Sequence, residues 1–169
     1  MIDSRMQRAQ QWLETLLKLT EVSANVKPEL ETTPGEDSEL QQPDSYWLTI
    51  DETKLTPEQI QILIGSVGTV LDAIQYLANA ILNLGQTQDQ QASYTVELNG
   101  YRVRRQAELR TIAENAAVQV RSSGQEVEIK SLSSAERRQV HTFLKDFTDL
   151  ETFSRGKEPH RHLVVRQVQ

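Results

Sequence analysis

The sequence contains no cysteine. That excludes a disulfide framework and any thiolate metal site, and it agrees with a reducing compartment. It also lacks a Gly-x-Ser-x-Gly elbow, a Gly-x-x-x-x-Gly-Lys loop and a His-Glu-x-x-His helix. The commonest nucleophile, nucleotide-phosphate and metalloprotease arrangements are therefore missing. Its Asp and Glu residues sit in patterns that solvated faces explain, so no catalytic residue and no cofactor are expected. His160-Arg161-His162 places two imidazoles on one face of an extended segment. Zinc sites take three or four protein ligands, so no metal site is expected either.

A long uninterrupted apolar run is lacking too. The nearest approach, Ile62 to Leu82, holds two glycines, Asp72, Gln75 and Asn79, and its apolar residues recur at helical spacing. A membrane span needs ~20 mostly apolar residues, so no membrane insertion is expected. The start, Met1-Ile2-Asp3-Ser4-Arg5, has neither the basic cluster nor the apolar core of a signal peptide. A cytoplasmic location is the expectation.

Positive charge is scarce in one half only. Residues 1–93 carry 5 Lys and Arg against 14 Asp and Glu, whereas residues 94–169 carry 13 against 10. The overall charge of −6 speaks against a polyanion partner, but attraction to phosphate depends on the local face. The arginines lie in the second half.

What is present is mostly amphipathic helix and short strand. Met6 to Leu19 carries an apolar stripe of Ala9, Leu13, Leu16 and Leu17, with Asp3 or Ser4 as cap. Ser23 to Leu30 reads as a strand that Pro28 confines to an edge or an end. Residues 31–45 are acidic and polar with two prolines, which predicts a mobile loop. Tyr46 to Ile50 and Tyr94 to Leu98 alternate as strands, and Asn99-Gly100 is a turn. Thr56-Pro57-Glu58 opens a short helix ending at Gly65. A second helix from about Thr69 to Leu84 is expected to bury Val70, Leu71, Ile74, Leu77, Ala78, Ile81 and Leu82, with Gly85 ending it. Arg102 to Arg121 is a third long helix, Val127 to Ile129 a short strand, and His162 to Val168 a closing strand. Ser133-Ser-Ala-Glu136 is a capping box whose helix turns Val140, Phe143, Leu144 and Phe147 inward.

Two short motifs bear on function. Gly65-Ser66-Val67-Gly68 lies between two apolar helical segments. Glycine admits backbone conformations that other residues resist and lets a ligand approach closely, and the helix opening at Thr69 offers free N–H groups and a positive dipole end. The same turn also serves as a plain helix–turn–helix corner. Arg137 and His141 lie four apart on one helix face, joining a planar donor fork to an imidazole that can donate a hydrogen bond or stack on a base. A solvated arginine and a marginal core histidine would give the same spacing.

The surroundings carry a resemblance. Leu63-Ile64-Gly65-Ser66-Val67-Gly68-Thr69-Val70-Leu71-Asp72-Ala73-Ile74-Gln75-Tyr76-Leu77 resembles the KH core of the bacterial Jag family, also called KhpB or SpoIIIJ-associated proteins. The order helix, strand, strand, helix, GxxG, helix, strand is that of a type II KH domain. Ser133 to His141, then Phe153 to His162 and Leu163 to Val165, resemble that family's C-terminal Arg-x-x-x-His module. The likeness runs from about Arg5 to Arg166. It implies an α+β protein: a type II KH domain over 5–100, with a three-stranded sheet and helices, then a small α/β Arg-x-x-x-His domain over 101–168.

The resemblance further implies a non-catalytic protein that binds single-stranded RNA, with single-stranded DNA not separated from it, and acts in post-transcriptional regulation. It implies a partner: a small single-KH-domain protein or a second copy of the chain. Many family members also carry an N-terminal Jag domain, which this chain is expected to lack. Expected contacts are Gly65, Ser66, Val67, Gly68 and Thr69 in the first domain, and Arg137 and His141 as signature positions in the second. Arg138, Arg155, Lys157 and Arg161 extend a basic surface there. Arg104 and Arg110 have i,i+4 glutamates, whereas Arg102 has none and Arg105 has only Glu108, which makes Arg102 and Arg105 the better phosphate candidates. Tyr101 and Phe153 are the aromatic candidates for base stacking. The loop departs from its family in one respect: Ser66 and Val67 stand where a Lys or Arg is common. That leaves a rival reading, an adaptor that pairs with another KH protein and barely touches RNA through this loop.

Overall fold

A computed structural model describes residues 3–31, 44–158 and 160–168. The loop expected over 31–45 thus lies almost wholly outside the described residues. The chain divides into two compact units, Met1–Arg102 and Val103–Gln169, each mixing helices with a three-stranded sheet.

In the first unit the Asp3 carboxylate caps helix α1, Ser4–Leu19, by accepting from the Arg5 backbone N–H. Strands β1, Val26–Leu30, β2, Ser45–Ile50, and β3, Ser93–Leu98, form a sheet in that order. Pro28 sits on β1, an edge strand, where its missing N–H costs no ladder bond. The β1–β2 pair is antiparallel and the β2–β3 pair parallel. A parallel pair requires a crossover, and helices α2, Pro57–Ile64, and α3, Thr69–Asn83, supply it. Thr56 and Gln59 cap α2 reciprocally, with Pro57 at the first turn. Alternation sends Tyr46, Leu48 and Ile50 of β2, and Tyr94, Val96 and Leu98 of β3, into one core with Leu13, Leu17 and Leu71. The Tyr46 and Tyr94 rings stack with centroids 5.8 Å apart.

Helix α3 corrects one expectation. Leu71, Ile74, Ala78 and Leu82 are buried, but Val70, Leu77 and Ile81 are 39%, 43% and 47% exposed. The apolar residues form two adjoining stripes, and the sheet covers only one of them. The helix's polar residues face a different task. β3 is an edge strand, and the Asn79 amide both donates to Tyr94 O at 2.7 Å and accepts from Tyr94 N at 2.9 Å. Asn83 does the same for Ala92, at 2.8 and 2.9 Å, and Gln75 accepts from Val96 N at 3.0 Å. One residue per turn of α3 thereby satisfies the free edge of β3. By length and composition alone Pro57–Asn83 would be apolar enough to cross a membrane. The glycine turn instead splits it into two helices.

In the second unit helix α4, Tyr101–Ser123, begins at the end of the first and buries Leu109, Ala113, Ala116, Ala117 and Val120. Strand β4, Val127–Ile129, helix α5, Ser134–Leu144, and strands β5, Leu150–Arg155, and β6, His162–Gln167, follow. The sheet order is β4-β6-β5, all antiparallel. The Ser133–Glu136 capping box opens α5, and Val140 and Leu144 pack on Leu163 and Val165 in the core. β5 was not expected from the sequence. Its Leu-Glu-Thr-Phe-Ser-Arg run alternates without a contrast of apolar and polar faces, so pairing with β6 is what makes it a strand.

Candidate nucleic-acid interface

The glycine turn of the first unit has the backbone its composition suggests. Gly65 and Gly68 have φ of +73° and +79°, and Val67 between them is also left-handed at +53°. A β-branched residue resists that region, so the turn is held by what surrounds it. A Cβ on Gly68 would lie 2.5–2.7 Å from the Tyr101 hydroxyl and ring. A Cβ on Gly65 would lie 2.6–2.9 Å from Val70 and Thr69. Ser66, Val67 and Thr69 are exposed, and among the described residues no side chain caps α3 at its start. The turn therefore presents a bare helix N-terminus and an apolar tip, without a cation.

Two expected contacts of this unit have other partners. Tyr101 packs half-buried on the first core beneath Gly68, so its ring is not an open stacking platform. Arg102 has a carboxylate after all: Asp72 on α3 pairs with it, while its Nε donates to Val96 O at 3.1 Å and Nη2 to Gln75 Oε1 at 3.2 Å. It ties α3 to the outer edge of β3.

In the second unit α5 and β5 flank a groove of about 310 Å³, lined by Ser134, Arg137, Arg138, His141, Thr152, Phe153, Ser154, Arg161 and Leu163. Four of the expected contacts meet here. His141 Nδ1 and the Thr152 hydroxyl share a hydrogen bond, which leaves Nε2 as the ring nitrogen for a ligand. Arg138 and Arg161 are exposed and have no carboxylate partner among the described residues. Arg137 differs from both. It is 6% exposed, and its Nη1 donates to Leu132 O at 2.8 Å and Arg161 O at 3.2 Å while Nη2 pairs with Glu158.

The remaining expected cations lie apart from the groove lining. Arg105 donates to Glu136 at 2.7 Å and Glu108 at 2.9 Å. Arg155 is held by Glu126 at 2.7 Å and Glu128 at 3.1 Å. Those hydrogen bonds raise the Arg155 guanidinium pKa and lower that of the Glu126 carboxyl. Lys157 is exposed on the turn between β5 and β6, with no carboxylate partner among the described residues. Phe153 does line the groove, and its ring carries the Arg166 and Arg155 guanidiniums at 5.0 and 5.5 Å. Thr152, Ser134 and Ser154 are the polar groups that sequence reasoning missed. Two of them sit on β5, the strand it did not foresee.

Among the described residues no three His, Asp or Glu converge as a metal site. The groove's chemistry is that of an anion site: two arginines, an imidazole nitrogen and hydroxyls around a volume that would hold a phosphate and part of its nucleotide.

Comparison with known proteins agrees in kind. The family model of the Arg-x-x-x-His domain, named for that signature, matches residues 107–167. The RNA-binding protein KhpB of Clostridium symbiosum is 32% identical over 111 residues, covering 66% of this chain and 49% of that protein. KhpB of Lactiplantibacillus plantarum is 34% identical over 104 residues, covering 62% and 32%. KhpB of Bacillus subtilis is 29% identical over 126 residues, covering 70% and 60%. The chain thus spans from about a third to three fifths of the length of these relatives. Over part of its length, the chain is homologous to bacterial RNA-binding proteins of the KhpB (Jag) family, and its residues 107–167 match the Arg-x-x-x-His domain.

Proposed function

We propose that this protein binds single-stranded RNA without catalysis, as a post-transcriptional regulator in the bacterial cytoplasm. In this reading residues 5–100 are a type II KH domain and 101–168 the Arg-x-x-x-His domain. The observation that carries it is the α5–β5 groove, where Arg138, Arg161 and His141 converge without a described carboxylate partner for either arginine. Relatives of part of this chain are named RNA-binding proteins. The glycine turn adds backbone N–H groups at the start of α3, a contact that serves any sequence. Base reading by the free edge of β3 is not part of the proposal, because Gln75, Asn79 and Asn83 already occupy that edge.

The test is fluorescence anisotropy of the full chain with a labelled single-stranded RNA. Arg138→Ala with His141→Ala should weaken binding by roughly tenfold or more, since hydrogen bonds to charged groups are each worth about 1.5–3 kcal/mol. Unchanged affinity would contradict the groove's role. A DNA of the same sequence, run beside it, separates RNA from DNA.

A second reading, the adaptor, is favoured by the outer face of α3. Val70, Ala73, Tyr76, Leu77, Ala80 and Ile81 are all exposed, and none is charged. A contiguous apolar helix face of this kind marks an interaction site. The reading assigns it to another KH protein or a second copy, and it is compatible with RNA held by the second unit.

A further inference from the structure

The Arg-x-x-x-His spacing invites the view that both signature side chains touch the ligand. The side chains here divide that work differently. Arg137 is 6% exposed, and both N–H bonds of its Nη1 are directed at backbone carbonyls, those of Leu132 and Arg161. Its Nη2 pairs with Glu158. Leu132 precedes α5, and Glu158 and Arg161 belong to the connection from β5 to β6. One guanidinium therefore ties the start of the helix to the segment from which the Arg161 side chain projects. Three of its five N–H bonds are thereby committed inside the protein, and at 6% exposure little of the guanidinium is open to a phosphate.

Arg138 and Arg161 stand in the opposite condition. Both are exposed, both line the groove, and neither guanidinium has a carboxylate partner among the described residues. The other groove arginine is engaged; these two are available.

We infer that Arg137 is a positioning residue, and that the cations contacting the nucleic-acid phosphate in this groove are Arg138 and Arg161. The inference rests on the reading of the groove as an RNA site. It departs from the expectation that Arg137 contacts phosphate directly, and it assigns that contact to an arginine twenty residues beyond the signature histidine. Arg161 belongs to no spacing pattern with Arg138. The fold brings the two together through the Arg137 bond to the Arg161 carbonyl.

Salt dependence separates contact from positioning, because each phosphate contact to a single strand contributes about 0.7 to the slope of log K against log salt. The full chain is titrated with labelled single-stranded RNA across a salt series, and thermal midpoints are recorded for each variant. Arg138→Ala and Arg161→Ala should each weaken binding roughly tenfold, flatten the slope by about 0.7, and leave the midpoint unchanged. Arg137→Lys keeps a cation but lacks the planar fork whose two nitrogens divide the carbonyls from the carboxylate. It should lower the midpoint and weaken binding, and it should cost little further in an Arg161→Ala background, since both act through the same contact.

The inference is overturned if Arg138→Ala and Arg161→Ala leave the slope at its original value. It is equally overturned if Arg137→Lys retains full affinity and slope, or if its loss simply adds to that of Arg161→Ala. Should Arg137→Lys fail to fold, the two surface variants decide the matter alone. A protein without salt-sensitive RNA binding would instead remove the reading on which the inference stands, a result visible before any variant is made.

Discussion

Single residues decide where this fold is tight. Gly68 and Gly85 have nearly the same φ, +79° and +71°, but a Cβ on Gly68 would meet the Tyr101 ring, whereas among the described residues nothing lies within 4 Å of one on Gly85. Gly85→Ala should therefore cost only the left-handed penalty of about 1–2 kcal/mol. Gly68→Ala should cost visibly more, and Tyr101→Ala should recover part of the difference in a urea midpoint. Asp3 makes a second prediction. Hydrogen bonds from Arg5, with Tyr46 adding another, hold its carboxyl at about 2 against an ordinary 3.8. A carboxyl depressed on folding stabilises the protein above its unfolded value and stops doing so as pH falls through the folded one. Its contribution should be full above about pH 4 and vanish towards pH 2. Unfolding midpoints from pH 2 to 6 should fall less steeply on the acid side for Asp3→Asn. At this scale the sequence was partly legible. Arg137 and His141 sit four apart on one helix, and spacing alone brings them together. The engagement of Arg102 with Asp72, thirty residues earlier, was invisible because only the tertiary fold makes them neighbours.

Among the elements, α3 is the most informative. Its amphipathic period was plain, and so were its start at the glycine turn and its end near Gly85. The width of its buried face was not, because periodicity reports which residues share a side but not how much of that side the sheet covers. Its Gln75, Asn79 and Asn83 likewise read only as polar interruptions of an apolar helix. In the fold they bond the backbone of Ala92, Tyr94 and Val96. Asn79→Ala should leave the N–H and C=O of Tyr94 without that partner and lower stability by about 1–3 kcal/mol for each group left unpaired in the interior. Denaturant unfolding measures it. On the outer face, Leu77→Arg with Ile81→Arg should leave the melting temperature nearly unchanged, because both side chains are more than a third exposed. If the adaptor reading holds, the same pair should abolish association with a KH partner or a second copy in analytical ultracentrifugation. β5 went unread for a related reason: Thr152 and Ser154 turn polar groups to the α5 side, so the strand has no apolar stripe to betray it.

For the whole molecule, net charge and charge placement point in different directions. A net charge of −6 argues against a polyanion ligand, and most arginines of the second half are engaged by glutamates or aspartates. What remains is local: Arg138 and Arg161, with His141, in one groove of the second unit. The first unit offers a cation-free turn and an uncharged helix face, a pattern better suited to backbone contact and partner binding than to strong phosphate attraction. In the proposed function, such a division makes the second unit the main source of RNA affinity and of its salt dependence. The most direct measurement is therefore the anisotropy titration of the full chain with single-stranded RNA at low and physiological salt, repeated with Arg138→Ala and Arg161→Ala combined. The account predicts salt-sensitive binding that the double variant largely loses, with a flatter slope and an unchanged fold. Binding that survives the double variant with its slope intact would contradict it.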